Sequence, residues 1–284
     1  MKGRIKLLLG IIFIVLMTAA GFLQYKYDSH LDYFAKRETF VALPSGKTLN
    51  VLSFGFQNLV ADMLFIWSIQ FYSTYHLTNS HDYLEHVFNT ITDINPQYKE
   101  PYIVGSWIMA LEAGDIRMAM RLLQKGAGNM KDEWIFDYEC GFYAYKDLKD
   151  YDLAEKFFEK AAAKPAAPLL IRRKRAHMVY MKDNLKYAYE LWLDIYNKAK
   201  DKLERNAAHN HLHQIKFEID KKWLEQRINL YKQKYNRYPH NLDQLIRAGL
   251  AAKIPKDLSG KSYVYHAETG NVTARKVFRW KRSF

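Results

Sequence analysis

Histidines are the residues of this 284-residue chain whose type and spacing come closest to a chemical site. Three of them alternate along one segment, at His209, His211 and His213. On a helix, residues four apart share a face and a residue two apart points away, so only His209 and His213 can act together as metal ligands. No acidic residue lies on the same turn to complete the set, and a solvated polar face explains the pattern better. The sequence therefore predicts no metal site and no cofactor, while a metal- or ligand-binding protein remains an open alternative.

Other catalytic arrangements are missing from the sequence. A second histidine group, His76, His81 and His86, has a spacing of five, which does not place side chains on one helical face. The single cysteine, Cys140, excludes an intramolecular disulfide framework and a multi-cysteine metal site, and it is expected to be a buried small hydrophobic residue. Neither a nucleophile elbow nor a local pair of catalytic carboxylates is present. We therefore expect that the protein is not an enzyme.

The charge of the chain is unevenly distributed. Residues 1–166 carry 17 Lys and Arg against 19 Asp and Glu, whereas residues 167–284 carry 26 against 11. The formal net charge of +13 therefore belongs to the C-terminal part. Nucleic acid, anionic lipid and an acidic protein are all compatible with such an excess, because charge alone steers association without defining the partner.

An apolar segment near the N-terminus narrows the choice among these three classes of partner. Leu7–Phe22 contains no charged residue and follows three basic residues. Sixteen helical residues span about 24 Å, slightly less than a hydrocarbon core of about 30 Å, so residues 1–25 predict a signal anchor or transmembrane helix, with cleavage after Ala20 as the alternative. The positive-inside tendency places the N-terminus in the cytoplasm and the remainder outside it. The expected location is a bacterial inner membrane, single-pass and mostly periplasmic, which argues against nucleic acid as a partner.

The segment after the anchor, residues 26–58, is expected to be a short β-containing linker. Two short runs favour strands, Thr39–Leu43 and Leu49–Phe54. Between them, Pro-Ser-Gly at 44–46 predicts a turn.

From about residue 59 the sequence becomes helical and repetitive. One small or apolar position recurs at steps of 35, 35 and 34, and a larger residue follows it by one helical turn. The first position is occupied by Leu84, Ala119, Ala154 and Ala188, and the second by Phe88, Leu123, Phe158 and Trp192. A period of this length, made of two helices, is typical of stacked helical hairpins.

This pattern resembles the tetratricopeptide repeat (TPR) family, most clearly over residues 133–166. The matching residues there are Gly141, Ala154, Phe158, Ala161 and Pro165. Leu84 and Trp192 depart from the family pattern, and the third repeat has one extra residue in its turn. The resemblance implies a mainly α fold, with a TPR-like α-solenoid of about four helical hairpins over residues 59–200.

The repeat period fades after residue 200. Residues 201–235 predict one or two long helices, suitable as a cap for the last apolar face of a repeat array. Residues 236–284 predict a small α+β module with a short helix, a β-hairpin and a basic tail. This stretch resembles the C-terminal module of type II secretion pseudopilins, with a Tyr-Pro turn at 238–239 and Pro-Lys-Asp at 255–257. The prepilin cleavage motif is absent, so the resemblance implies a shared local module and not a pilin.

The TPR resemblance also implies a binding groove, lined by the first helix of each hairpin. The residues expected on that inner face are Tyr138, Phe142, Tyr145, Arg173, His177 and Tyr180. Aromatic rings beside a guanidinium group suit an extended peptide, although the same rings would also fill the space between hairpins. In the tail, residues 275–284 interleave basic and aromatic side chains. Anionic lipid headgroups or an acidic partner would fit this pattern, and an edge strand with a frayed end is the alternative.

Together these features predict a non-enzymatic scaffold or adaptor on the periplasmic face of the inner membrane. Its expected partners are other proteins of a membrane or envelope complex, such as a pilus or secretion system, a transporter or cytochrome machinery. Two alternatives remain: a periplasmic metal- or ligand-binding protein that uses its histidines, and a structural subunit of a large membrane complex.

Overall fold

The computed structural model describes residues 43–74 and 83–275, together with 13, 15–23 and 26 near the N-terminus. The described chain is mainly helical, with a small two-stranded sheet near the C-terminus. From residue 43 onward its helices are α1 (Gly46–Leu52), α2 (Gln57–Thr74), α3 (Leu84–Ile94), α4 (Lys99–Leu111), α5 (Ile116–Asn129), α6 (Ile135–Lys146), α7 (Tyr151–Ala162), α8 (Leu169–Met181), α9 (Leu185–Lys198), α10 (Lys202–Tyr235) and α11 (Asp243–Arg247), and its strands are β1 (Val264–His266) and β2 (Asn271–Thr273).

The chain divides into two compact units, Met1–Leu122 and Leu123–Phe284. In the first unit α3 is central, since α1, α2 and α4 each pack against it. Gly105 of α4 permits this close packing, because a Cβ atom there would lie 2.6 Å from the ring of Phe88 and 2.8 Å from Leu122. Phe88 itself is fully buried.

The prediction of a strand at Leu49–Phe54 is wrong. Helix α1 runs to Leu52, and the chain then turns with positive φ angles at Phe54 and Gly55. The helix starts because the Ser45 hydroxyl accepts a hydrogen bond from the Thr48 amide, as an N-cap does. Contact with α3 stabilises this helix. The β propensity of a few consecutive residues takes no account of such a contact. Of the other predicted strand, Thr39–Leu43, all but Leu43 lies outside the described residues.

In the second unit, each helix from α6 to α10 packs against the next along the chain. The positions picked out by the sequence period lie in the interior of the two units: Leu84, Ala119, Ala154 and Ala188 are fully buried, as are Phe88, Leu123 and Phe158, and Trp192 is nearly so. The predicted small position of Gly141 is also occupied as expected, because a Cβ there would lie 2.9 Å from the ring of Phe158 on α7.

Helix α10 is a single helix of 34 residues that serves two separate cores. Its first half buries Ala208, Leu212 and Ile215 against α8 and α9, in the cluster that contains Trp192. Its second half buries Leu224 and two further residues against α11 and the sheet. The one helix therefore joins the stacked helices to the C-terminal module.

The C-terminal module contains the predicted hairpin. Strands β1 and β2 are antiparallel, with Tyr265 opposite Val272. Gly270 begins the return with a φ of +72°, and a Cβ at this position would lie 2.5 Å from the ring of Tyr238. The glycine is required both for its conformation and for the space that the tyrosine occupies.

Within the described residues, no helix combines the length and the apolar character needed to cross a membrane. The anchor predicted for residues 1–25 falls mostly outside the described residues. The same holds for the basic tail, of which only Arg275 is described.

Candidate partner-binding surface

Three of the predicted groove residues form a row of aromatic rings in the second unit. Tyr145 comes from α6, and His177 and Tyr180 come from α8. The ring centroids of Tyr145 and His177 are 6.2 Å apart with an edge-to-face geometry, and those of His177 and Tyr180 are also 6.2 Å apart but stacked. All three rings are half-buried. We call Tyr145, His177 and Tyr180 the aromatic row.

Helix α10 extends this row with polar groups. The Tyr180 hydroxyl donates a 2.7 Å hydrogen bond to Glu218, and the Gln214 amide donates to Tyr180 at 2.9 Å and to Glu218 at 3.1 Å. Burial, followed by the bond to Glu218, raises the pKa of Tyr180 to about 12. Tyr180 therefore remains a neutral donor at physiological pH and is fixed in orientation by two partners.

The positive charge beside the row comes from Arg173 and Lys174. Burial, then the charge of Lys174, lowers the pKa of His177. Burial lowers the pKa of His211 to about 2, with His177 and Arg173 as lesser causes, and the His211 ring stacks on Trp192 at a centroid distance of 3.5 Å. Both imidazoles are therefore neutral at pH 7, and the cluster contains one guanidinium group. Among the described residues, no group accepts a hydrogen bond from the buried Nε of Arg173.

Two predicted groove residues make other contacts. Tyr138 packs against Trp134 and Phe158, each with a centroid distance of 5.8 Å, and burial raises its pKa. Phe142 lies 5.6 Å beneath the ammonium group of Lys146. Tyr138 therefore fills space within a helical hairpin, the alternative role that the sequence left open for these aromatics.

Sequence reasoning missed Gln214, Glu218 and His211, because it ended the repeat at residue 200. The signal was present: Gln214 follows Tyr180 by 34 residues, and His211 follows His177 by 34. The first half of α10 therefore continues the spacing of α6 and α8. Applying the period once more would have identified these two positions.

The arrangement offers the groups that recognise an extended peptide. Ring faces accept apolar side chains, the Gln214 and Tyr180 dipoles suit main-chain amides, and Arg173 suits a carboxylate. The carboxylate of Glu218 is already occupied by two donors. It therefore acts to orient the row and does not serve as a free acid.

The histidine pair does not extend to a metal centre in the described chain. His209 and His213 lie on one face of α10, with ring centroids 4.7 Å apart. No group of three His, Cys, Asp or Glu side chains within the described residues is placed to hold a metal ion. The His86 ring bonds the Leu43 carbonyl at 2.8 Å, and His76 and His81 lie outside the described residues.

Cys140 is buried, as the sequence predicts, and it forms no disulfide bond with any described residue. Its side chain is 1% exposed. Burial, together with the charges of Asp137 and Glu139, raises the pKa of the thiol far above its usual range. The thiol is therefore unsuited to nucleophilic chemistry.

No protein-family model matches the sequence. None of the curated proteins is significantly similar to it.

Proposed function

We propose that this protein is a non-enzymatic scaffold that binds a partner protein along the aromatic row. The observation that carries the proposal is the continuity of the row from α6 across α8 to α10, where the ring faces lead to a phenol that is oriented by Glu218 and Gln214. Because the supporting helices pack consecutively, the row is presented by rigid elements. Such a surface binds an extended segment without performing chemistry on it.

The fold that we propose for residues 59–200 is a set of TPR-like hairpins. The small residues at steps of 34–35 are buried, and Gly141 admits the ring of Phe158, which supports this assignment. We further propose a pseudopilin-like C-terminal module, an N-terminal membrane anchor and a periplasmic location. The apolar Leu7–Phe22 segment and its preceding basic residues support the last two. The proposed partners are proteins of an envelope complex.

Site-specific photo-crosslinking in intact cells tests the proposal. A benzoylphenylalanine is introduced at Tyr145 or Tyr180 of the full chain, and at Tyr189 of α9 as a matched tyrosine outside the row. The expected result is one adduct of defined mass at both row positions and none at Tyr189, with the adduct lost when Arg173→Glu is added. Row positions that give no adduct above Tyr189 would contradict the proposal.

The same experiment separates the structural-subunit alternative. A subunit embedded in a large complex is covered on more than one side, so Tyr189 would give adducts as abundant as those of the row.

The metal-binding alternative is tested by dialysis of the purified protein. If the protein binds a metal, the dialysed wild-type chain retains a stoichiometric amount of metal and the double variant His209→Ala/His213→Ala does not. The scaffold proposal expects less than one metal ion per chain in the wild type and in the variant.

A further inference from the structure

The first unit presents an apolar face formed by α1, the following turn and α2. Large apolar side chains crowd this face with little cover: Val51 is 77% exposed, Phe54 84%, Phe56 67% and Met63 63%. The remaining members are Leu52, Leu59 and Ile66. We call these seven residues the apolar face. Seven large exposed apolar side chains within the 16 residues from Val51 to Ile66 are typical of an interaction surface.

Helix α2 is apolar on two opposite sides. One side, with Ala61, Phe65 and Tyr72, is buried in the first unit, and the Phe65 ring meets Tyr98 edge-to-face at 5.4 Å. The opposite side carries Leu59 and Met63, a helical turn apart, and is exposed. Because one side of α2 already packs in the core of the unit, the exposed side can contact a membrane or another molecule.

The chemistry of the apolar face favours lipid over a charged partner. Residues 51–66, which span the apolar face, include a single charged residue, Asp62, and its carboxylate accepts a hydrogen bond from Tyr98, so a charged surface would find little to complement it there. Phe54 and Phe56 flank Gly55 in a turn with positive φ angles, which projects the two aromatic rings outward. Aromatic rings of this kind are enriched at the level of lipid headgroups.

The chain also brings the apolar face near a bilayer. The apolar Leu7–Phe22 segment precedes it, and residues 24–45 between them can extend to at most about 75 Å. That connection carries three basic residues, Lys26, Lys36 and Arg37, against three acidic ones, so its length and not its charge keeps the apolar face near the bilayer. An anchored chain therefore holds the apolar face at high effective concentration beside the membrane.

We propose that the apolar face inserts shallowly into the interfacial region of the lipid bilayer, with Phe54 and Phe56 as its deepest residues. This deepens the proposed function, because it rests on membrane anchoring by the N-terminal segment. It makes the first unit a membrane-bound platform. A second copy of the chain, or the chain's own N-terminal segment, is the competing occupant.

Fluorescence quenching in vesicles tests this insertion. The full-length protein is reconstituted into phosphatidylcholine–phosphatidylglycerol vesicles, with an NBD probe on Phe54→Cys or Met63→Cys and the buried native thiol left unlabelled. The control is Leu203→Cys, which is 82% exposed at the start of α10. Doxyl-labelled lipid with a shallow spin label is expected to quench the Phe54 and Met63 probes at least twofold and to leave the Leu203 probe unchanged.

A probe on Leu16→Cys, read with a lipid whose doxyl group lies near the bilayer centre, reports the anchor separately. If it is quenched while the Phe54 and Met63 probes behave like Leu203, the insertion is wrong and the anchoring stands. If the Phe54 probe is quenched and the Leu16 probe is not, the insertion stands and the anchoring is wrong. A protein occupant of the apolar face would overturn the insertion. It would be identified by a Phe54 probe that is already shielded in detergent without lipid and that shows energy transfer to other labelled copies or to the N-terminal segment.

Discussion

Tyr263 donates a 2.6 Å hydrogen bond to the Asp220 carboxylate of α10, and both side chains are buried. The Lys216 ammonium donates to the same carboxylate oxygen at 2.5 Å. This pair connects the residue before β1 to the long helix, so it fixes the C-terminal module against α10. Removing the phenol leaves a buried carboxylate with one donor fewer.

We predict that Tyr263→Phe lowers the free energy of unfolding of the C-terminal module by about 1.5–3 kcal/mol, the usual range for a hydrogen bond to a charged group. Tyr265→Phe is the matched control, because it removes a 2.9 Å bond to the neutral Pro239 carbonyl and should cost about 1 kcal/mol. Urea unfolding, with hydrogen exchange of the module amides, measures both. Equal losses of unfolding free energy in the two variants would show that the bond to the Asp220 carboxylate stabilises the module no more than the bond to the Pro239 carbonyl.

The stacking of His211 on Trp192 predicts an acid-sensitive fold. The pKa of His211 is about 2 in the folded protein, far below its usual value, because the ring is buried. The folded protein therefore holds the imidazole in its neutral form. The contribution of the neutral ring to the free energy of unfolding is complete above about pH 6.5 and is lost as the pH falls below that value. Between pH 6 and pH 4 the loss should approach about 1.4 kcal/mol per pH unit.

His211→Phe should remove this slope while keeping an aromatic ring against Trp192. Ile215→Val, one turn further along α10, is the control, because it should cost about 1 kcal/mol at every pH without changing the slope. Urea titrations at a series of pH values measure the difference. A slope that survives in His211→Phe would assign the acid sensitivity to other groups.

The sequence predicted the elements whose signal is periodic. Ala154 and Phe158 are identified by spacing alone, since a helix that packs closely must carry a small residue at the contact and a large one beside it. Gly105 carries the same signal, 36 residues before Gly141, and was overlooked. Periodicity is informative because it reports packing that recurs in each hairpin.

What the sequence could not predict depends on contacts between distant segments. Helix α1 is short, and a Cβ at Gly46 would lie 2.4 Å from the Asp93 Cβ, so its position is set by α3 and not by local propensity. The bond between Tyr180 and Glu218 spans 38 residues and needs α10 in place. The pairing of Tyr263 with Asp220, 43 residues apart, is of the same kind.

Gly141→Ala should destabilise the second unit although alanine is the better helix former. The added Cβ would meet the ring of Phe158 at 2.9 Å, and overpacking of this kind costs about 1–3 kcal/mol against a propensity gain of about 1 kcal/mol. Gly128→Ala in α5 is the matched control, because no atom lies within 4 Å of the added methyl group. It should be neutral or stabilising by up to about 1 kcal/mol. A stabilising Gly141→Ala would contradict close packing of α6 on α7.

Cys140 provides a probe of the same interface. Its side chain is 1% exposed, and its raised pKa leaves almost no thiolate at neutral pH, so a thiol-specific disulfide reagent should react only after unfolding. The expected native rate is more than a hundredfold below that of Leu203→Cys, which is largely exposed. In Gly141→Ala, the residue next to the thiol, local opening should become more frequent. The rate should rise about tenfold for each 1.4 kcal/mol of lost stability, while the Leu203→Cys rate stays unchanged. Fast reaction of the native wild-type thiol would mean that α6 opens without global unfolding, and it would remove the basis for treating the aromatic row as rigidly supported.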